Sequence, residues 1–513
     1  MPIANTYYIN TGLHGTLDST TPQDIDNIFD ALKTQPKVVL YFHGGLVSRS
    51  AGMESAAKLL PGFLSAGAYP VFFVYESGFL EIVTRNLAEI AGEDVFKILL
   101  QRLLKYVVAK LRDPIGTRGI TTVQPTDIEL HTELIKREAG EEPFANEPID
   151  RSVAAVSDSE QRELTEELAS DGDLMGTIEA IGDTAQSSTT TAVNTRGLTT
   201  RSRKSTRTLM SPEIVDEIKN DVDTARGEGG RGVLSTAALL LRTGKILVRA
   251  IERFRAHRDH GIYPTVVEEI LREFYVANIG TAVWEAIKAE TSDTFVEIIG
   301  EKRGGVCFLD KLAGFLTATP KSSQPRISLV GHSTGGVFIN NLLSAVARRQ
   351  QAGTLAADFA FEHIVLLAPA CTFWGFETTI QQHSKLFSSF RVFGMQDEAE
   401  CKDAIVPFVY TRSLLYFVSG LLEKGPQGKA YADVPLVGMQ KFYTHSDVYA
   451  DADEIDVQKF VNDRSVPSVA RRFVWSPCDD GSGLSSHSAK HGDFHNDPST
   501  LESLWSIIKL PSV

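Results

Sequence analysis

The residues most able to do chemistry lie in one short segment, 331–335, which reads GHSTG and is followed by Gly336. The segment fits the pattern G-x-S-x-G, in which a serine occupies a sharp turn between a strand and a helix. The flanking glycines let strand and helix approach closely, because they carry no Cβ atom. The helix N-terminus would favour negative charge near the serine hydroxyl. The pattern therefore predicts that Ser333 is a nucleophile for attack on a carbonyl group.

With a buried strand predicted before it, a helix after it and an HGG sequence at 43–45, this segment resembles the nucleophile elbow of the α/β-hydrolase superfamily, in its esterase and lipase branches. The resemblance covers residues 7–75 and 326–513. It implies an α/β-hydrolase fold, with a mostly parallel central sheet flanked by helices and a large, mainly helical cap. It also implies a triad in the chain order serine, acid, histidine, which requires no metal ion or organic cofactor.

The resemblance also implies an oxyanion hole built from backbone N–H groups. One donor would come from Gly44, Gly45 or Leu46 in the HGGL loop, and the other from Thr334, directly after the nucleophile. The alternative is that the HGGL loop is only a glycine-rich turn between a strand and a helix. His332 is expected to pack beneath the elbow or to line the pocket.

The resemblance places the catalytic histidine near the end of the chain, where His487, His491 and His495 lie close together. His491 begins the sequence HGDF, after the last expected strand and before the closing helix. Gly492 would let this loop fold over Ser333. His491 is therefore the predicted general base, and the other two histidines are interpreted as ordinary loop residues.

The acid that orients the histidine is expected in the turn after the preceding strand. Asp397 follows the expected strand 390–393 and is predicted to hold the imidazole in the useful tautomer and to stabilise the imidazolium. The alternatives are Glu398 and Glu400 on the same turn, and Asp479 and Asp480 further along the chain.

The elements around these residues alternate between strands and helices. Continuous apolar runs predict buried strands at 37–42 and 69–75. The other expected strands are 6–10, 326–330, 362–367, 390–393 and 472–475, and the expected helices are 22–32, 51–64, 335–347 and 498–510. This order predicts an α/β fold in which helices cover both faces of a mostly parallel sheet.

Residues 77–325 separate the two parts of the expected catalytic domain, 1–76 and 326–513, and are too long for an ordinary connection. They are expected to form a helical cap, with helices at 87–112, 233–255 and 266–287. The middle of this insertion, about 138–230, changes from acidic to basic, has few aromatic residues and is expected to be flexible. Its basic run at 201–207 is interpreted as part of a solvated linker, the alternative being a contact with an acidic partner or lipid headgroups.

Two histidines of the insertion, His257 and His260, lie near Arg253, Arg255 and Arg258. They could belong to a ligand-binding cluster. A solvated helix end is the favoured interpretation.

The chain has 513 residues, a formal net charge of −14 and a pI near 5.4. This charge argues against nucleic acid as the main partner, since phosphate binding requires clustered lysines and arginines. It also opposes loose adhesion to anionic membranes, so membrane contact is not predicted. The four cysteines show no metal-binding spacing, and the N-terminus shows no secretory signal. The expected location is therefore cytoplasmic, with reduced thiols.

These features together predict a serine hydrolase that cleaves carboxylic esters through an acyl-enzyme intermediate. An apolar cap, including a helical stretch at 406–422, would favour small-molecule or lipid esters with apolar acyl groups. One alternative is a lipase or phospholipase acting on membrane lipids. A second alternative, of a different class, is a non-catalytic scaffold whose insertion binds a protein.

Overall fold

The architecture is that of a computed structural model, which describes most of the chain. The described residues are 3–45, 48–75, 78–112, 124–149, 156–172, 174–176, 178, 208–217, 233–276, 279–425, 432–462 and 472–510.

Seven parallel strands form the central sheet, in the order β1-β3-β2-β4-β5-β6-β7. In chain order they are β1 (Tyr8–Thr11), β2 (Lys37–Phe42), β3 (Tyr69–Tyr75), β4 (Arg326–His332), β5 (Phe361–Leu367), β6 (Phe387–Met395) and β7 (Phe473–Ser476). A separate antiparallel pair consists of β8 (Cys478–Asp479) and β9 (Ser485–Ser486).

Helices lie on both faces of the sheet and in the insertion. The α-helices are α1 (Pro22–Leu32), α2 (Arg49–Ser65), α3 (Phe79–Gly92), α4 (Asp94–Arg112), α5 (Asp127–Ile135), α6 (Asp158–Ser170), α7 (Val233–Arg255), α8 (Ile262–Ile270), α9 (Thr281–Asp293), α10 (Gly304–Ala318), α11 (Gly335–Gln351), α12 (Phe373–Phe376), α13 (Asp397–Glu400), α14 (Leu414–Phe417), α15 (Lys441–Thr444), α16 (Ala452–Asn462) and α17 (Pro498–Lys509). The 3₁₀ and π turns are Asn5–Tyr7, Leu13–Gly15, Lys136–Ala139, Leu271–Tyr275, Lys321–Ser323, Glu377–Gln381, Ser384–Leu386, Val418–Leu422 and His491–Asp493.

The sheet is buried on both faces because alternate side chains of each strand enter different cores. In β2, Leu40 and Phe42 join the larger core, whereas Val39 and Tyr41 join the smaller one. Such a strand has no polar face, which explains why it reads as a continuous apolar run.

Aromatic side chains connect the flanking helices to the sheet. On one face, Phe308 of α10 packs 5.2 Å from Phe29 of α1 and 5.6 Å from Phe73 of β3, measured between ring centroids. On the other face, Phe63 of α2 packs 4.6 Å from Trp505 of α17. Helix α10 thus covers the sheet, although its residues fall within the range 77–325 that was expected to form the cap.

The expected α/β fold agrees with the architecture, and so do most element boundaries. Strands β2 and β3 have the predicted bounds, and Thr21 caps α1, since its side chain accepts a hydrogen bond from the N–H of Asp24. The helix expected at 266–287 is instead divided into α8, a π turn and α9. At 406–422, only Leu414–Phe417 and the following π turn are helical.

A helix lies in the described part of the middle of the insertion. Helix α6 lies within 138–230 and packs against α7, with Leu164 and Leu168 buried. The basic run at 201–207 lies outside the described residues. Within the described part of the chain, each helix is too short or too polar to cross a lipid bilayer, and none of the four cysteines forms a disulfide.

Candidate active site

The parallel sheet brings the predicted nucleophile and the HGGL loop to the same edge. Strands β2 and β4 are neighbours in register, with Phe42 paired to Gly331, so the residues that follow them emerge side by side. The chain leaves these two strands toward opposite sides of the sheet, since β3 lies beyond β2 and β5 lies beyond β4. Crevices at such switch points are where open α/β sheets bind ligands.

Ser333 occupies a strained turn between β4 and α11. Its φ angle is +54°, a left-handed conformation that non-glycine residues seldom adopt. The turn is held by the Ser333 N–H, which donates to the Leu367 carbonyl at 2.8 Å, and by the Ser333 carbonyl, which accepts from the Ala370 N–H at 3.1 Å. Gly335 is required at the start of α11, because a Cβ atom there would lie 2.3 Å from the carbonyl oxygen of Phe42. The sheet therefore presents the Ser333 side chain in one fixed orientation.

His491 lies next to the nucleophile. Its Nε2 atom is 2.9 Å from the Ser333 hydroxyl oxygen, and both residues are buried. His491 begins a 3₁₀ turn in the loop between β7 and α17, which emerges at the same edge of the sheet as Ser333. Burial lowers the pKa of His491 to about 4, so the imidazole is neutral at pH 7 and can accept the hydroxyl proton.

The main chain of His491 is held on both sides. Its N–H donates to Oδ2 of Asp403 at 2.7 Å, and its carbonyl accepts from Nε2 of His332 at 3.0 Å. His332 is buried one residue before the nucleophile, and burial holds its pKa well below the ordinary value. The neutral imidazole therefore carries its proton on Nε2. Sequence reasoning considered neither contact; the only signal for Asp403 is its place in the turn after β6.

A chain of hydrogen bonds fixes the predicted oxyanion residues. The Gly45 N–H donates to Oγ1 of Thr334, whose hydroxyl lies 2.8 Å from that of Tyr75. The Tyr75 hydroxyl in turn donates to the His43 carbonyl at 2.7 Å. The HGGL loop is thus bound to the residue after Ser333 through the Thr334 side chain, and this bond occupies the Gly45 N–H that was predicted as an oxyanion donor.

Two of the predicted oxyanion donors lie against the nucleophile. Gly44 lies so close that a Cβ atom there would be 3.2 Å from the Ser333 Cβ. The backbone N–H of Thr334 has no acceptor among the described residues, so it can serve a ligand. Leu46 lies outside the described residues.

Asp397 does not contact His491. Its carboxylate accepts a hydrogen bond from the Tyr416 hydroxyl at 2.7 Å, and its N–H donates to Oε1 of Gln440 at 2.9 Å. Among the described residues, Nδ1 of His491 is buried without a hydrogen-bond partner. The expected hydrogen bond between Asp397 and His491 is therefore not formed; the Asp397 carboxylate instead accepts from Tyr416 of α14.

Among the described residues, none of the other candidate acids and histidines forms a hydrogen bond with Ser333 or with the His491 side chain. Glu398 is exposed and bonded to Lys402. Asp479 and Asp480 are exposed on the β8–β9 pair. His487 is exposed and bonded to Ser499. The His495 ring packs 5.2 Å from His332, between ring centroids.

Glu400 differs from these residues because it is completely buried. Burial raises the pKa of its carboxyl group well above the ordinary value. Both of its side-chain oxygens are without a partner among the hydrogen bonds of the described residues.

The insertion contains a second buried polar cluster that sequence reasoning interpreted differently. His260 is not at a solvated helix end; it lies between Glu268 and Asp433, at 2.7 Å and 2.9 Å. Arg253 binds Glu268 at 2.6 Å, and Lys441 binds Asp433 at 2.8 Å. The acids and cations are thus paired throughout, which is typical of a structural network.

A cavity of about 540 Å³ is lined by residues that include Glu142, Asp259 and Arg412, and Ser333 and His491 are not among them. The described residues contain no group of three or more His, Cys, Asp or Glu side chains that could hold a metal ion. Comparisons of the chain with protein-family models, curated proteins and solved structures each found no match.

Proposed function

We propose that this protein is a serine hydrolase of the α/β-hydrolase type that cleaves carboxylic esters through an acyl-enzyme intermediate. The observation that carries the proposal is the distance of 2.9 Å between the Ser333 hydroxyl oxygen and Nε2 of His491, formed on a turn with a left-handed serine. A buried serine in such a strained conformation is uncommon outside functional sites. The neutral imidazole gives it a base for nucleophilic attack.

The reaction begins with transfer of the Ser333 hydroxyl proton to Nε2 of His491, while the serine oxygen attacks the ester carbonyl carbon. The carbonyl oxygen becomes an anion, which the N–H of Thr334 would stabilise together with the HGGL loop. The C–O bond to the alcohol then breaks, and the alcohol leaves with the proton from His491. Water attacks the acyl-enzyme with His491 again as base, and this step releases the acid and restores Ser333.

The arrangement of the sheet also supports the assignment to the α/β-hydrolase fold. The nucleophile follows β4, a set of carboxylates follows β6 and the histidine follows β7, so that all three groups emerge at one edge. Their chain order is the serine, acid, histidine order of that superfamily. Residues 77–325 contribute α10 to the sheet layer, and we propose that other helices in this range form the cap.

A fluorophosphonate probe and a panel of p-nitrophenyl esters test the proposal. We expect the wild type to be labelled and to hydrolyse some of the esters, and the Ser333→Ala variant to lose labelling and several orders of magnitude in turnover. Ser344→Ala, on the same helix α11, is the matched control and should retain both activities. A wild type that is neither labelled nor active would contradict the proposal and favour the non-catalytic scaffold.

The same panel addresses the substrate. Short-chain and long-chain esters measure the preference for acyl length, and phospholipid vesicles test the lipase alternative. Activity on vesicles that exceeds activity on every soluble ester would replace the small-ester assignment by a lipid hydrolase. Both outcomes use the same Ser333 chemistry.

A further inference from the structure

In the proposed reaction the base, His491, lacks a hydrogen-bond partner among the described residues for one of its ring nitrogens. If the Ser333 hydroxyl donates to Nε2 of His491, the proton of the neutral ring lies on Nδ1. This N–H is buried and, within the described part of the chain, has no acceptor. A buried donor without a partner is costly, and a neutral imidazole without a carboxylate is also a weak base at pH 7. The nearby carboxylates are therefore the candidate acceptors for the Nδ1–H of His491.

The turn after β6 offers four carboxylates. Glu398 is exposed and bonded to Lys402, and the other three differ in their contacts. Asp397 is bonded to Tyr416, which takes its Oδ1 atom. Glu400 is completely buried, and burial raises the pKa of its carboxyl group well above the ordinary value, which disfavours the charged form. Asp403 is the one that the described hydrogen bonds join to His491, through Oδ2 and the backbone N–H at 2.7 Å.

We propose that Asp403 is the positioning residue that accepts the Nδ1–H of His491 during catalysis. This inference rests on the proposed function. The backbone nitrogen and Nδ1 of one histidine are separated by four covalent bonds, so a carboxylate that binds the first can reach the second by a small rotation. One oxygen can then bind the backbone N–H and the other the ring N–H. Catalytic hydrogen bonds are often long before substrate binds and become shorter afterwards.

The surroundings of Asp403 are suited to this role. The carboxylate is half-buried, and burial raises its pKa, whereas the His491 N–H and Lys490 stabilise its charged form. The imidazole of His491 also faces the rings of His332 and His495. Because both of those rings have lowered pKa values through burial, they are neutral and provide no charge for the imidazolium. Asp403 would supply that charge.

The substitution Asp403→Asn separates this role from a structural one. An asparagine can still accept the backbone N–H of His491 through its amide oxygen, but its amide group cannot hold the ring in the same tautomer. We therefore expect a folded protein whose kcat for an active ester falls by on the order of 10³- to 10⁴-fold, as in a triad that loses its carboxylate, with little change in KM. Asp397→Asn and Glu400→Gln are the matched variants of the same turn and should each lose less than about tenfold.

The pH profile supplies a readout that a structural contact would not change. A carboxylate near the imidazole favours its charged form and raises its pKa. In Asp403→Asn, the acidic limb of the profile of kcat/KM should therefore move to lower pH, whereas Asp403→Glu should restore part of the rate. Circular dichroism checks that each variant is folded.

The outcomes distinguish this inference from the proposed function. If Asp397→Asn or Glu400→Gln loses the activity and Asp403→Asn retains it, Asp403 is not the positioning acid, but the serine hydrolase remains. If the wild type is unlabelled by fluorophosphonate and inactive on all esters, the proposed function itself fails. An Asp403→Asn variant that loses rate without any shift of the acidic limb also contradicts the role proposed for Asp403.

Discussion

The Nε2 atom of His332 lies 3.0 Å from the carbonyl oxygen of His491, so the residue before Ser333 holds the main chain of His491. Their rings also stack, with centroids 5.5 Å apart. Because His332 belongs to β4, the strand that leads into Ser333 also holds the main chain of His491 through this hydrogen bond. The Ser333 hydroxyl and the His491 imidazole are thus held close to each other, although the two residues are 158 positions apart in the sequence.

The variant His332→Leu tests this coupling. It removes the donor to a buried carbonyl, and the loss of such a hydrogen bond costs about 1–3 kcal/mol, which corresponds to roughly fivefold to 150-fold in rate if it is fully expressed in the transition state. We expect kcat for an active ester to fall by this factor while KM changes little. His487→Ala, an exposed histidine of the same C-terminal segment, is the control. Equal kcat values for the two variants would show that His332 does not position the base.

A second prediction concerns the hydroxyl of Thr334, which binds the HGGL loop. Thr334→Val keeps the shape but removes the group that accepts from the Gly45 N–H and contacts Tyr75. We expect kcat to fall about tenfold or more, because the loop loses the bond that fixes it beside the nucleophile. Thr334→Ser retains the hydroxyl and should recover most of the rate. Steady-state kinetics of the two variants on one ester measures the difference, and an active valine variant would contradict the prediction.

The elements that position the site could be predicted from the sequence because their signals are local. A strand buried on both faces has a continuous apolar run, and this gave the correct bounds of β2 and β3. The elbow was recognisable because strand, glycines and helix follow each other directly. The described structure brings Ser333 and His491 together, as expected from the alternation of parallel strands that all end at one edge.

The carboxylate that orients His491 could not be predicted from the sequence in the same way. Asp397, Glu400 and Asp403 lie close together in the turn after β6. The local sequence does not indicate which of these carboxylates contacts a residue that is distant along the chain. The Tyr416 hydroxyl donates to the Asp397 carboxylate, and this contact depends on how α14 packs. The burial of His260 was missed for a similar reason, since its partner Asp433 is 173 residues away.

The glycine that begins α11 gives a prediction on stability. In Gly335→Ala the new Cβ atom would lie 2.3 Å from the Phe42 carbonyl oxygen, so the helix must move away from β2. We expect the free energy of unfolding to fall by about 1–3 kcal/mol, together with a loss of ester hydrolysis. The control is Gly314→Ala, an exposed position in α10 with no atom within 4 Å, which should stabilise the protein by about 0.5–1 kcal/mol. Urea unfolding of both variants provides the comparison.

The buried network around His260 should contribute to stability rather than to catalysis. His260→Ala removes one buried hydrogen-bond partner from Glu268 and one from Asp433, and the loss of such a partner costs about 1–3 kcal/mol for each group. We expect this loss in urea unfolding at pH 7, whereas His257→Asn, at an exposed site, should change the unfolding free energy by less than about 0.5 kcal/mol. A His260→Ala protein as stable as the wild type would show that the cluster is not paired as described.

Stability should also decrease in acid because of His43. Burial lowers the pKa of this residue from 6.5 to about 4, and the neutral ring donates from Nδ1 to the Gly44 carbonyl and accepts at Nε2 from the Tyr75 N–H. The unfolded chain takes up a proton near pH 6.5 but the folded protein does not, so the contribution of His43 is complete above pH 6.5 and declines as the pH falls toward 4. The expected loss is about 2 kcal/mol between pH 7 and pH 5.

Urea unfolding of His43→Gln at both pH values isolates this contribution. The variant should be less stable than the wild type at pH 7, because one of the two hydrogen bonds is lost, but its decrease between pH 7 and pH 5 should be smaller by about 2 kcal/mol. His131→Gln removes an exposed histidine of α5 and should reproduce the decrease of the wild type. If His43→Gln shows the full decrease, His43 is already protonated in the folded protein at pH 5, and the environment of the HGGL loop is more polar than its burial indicates.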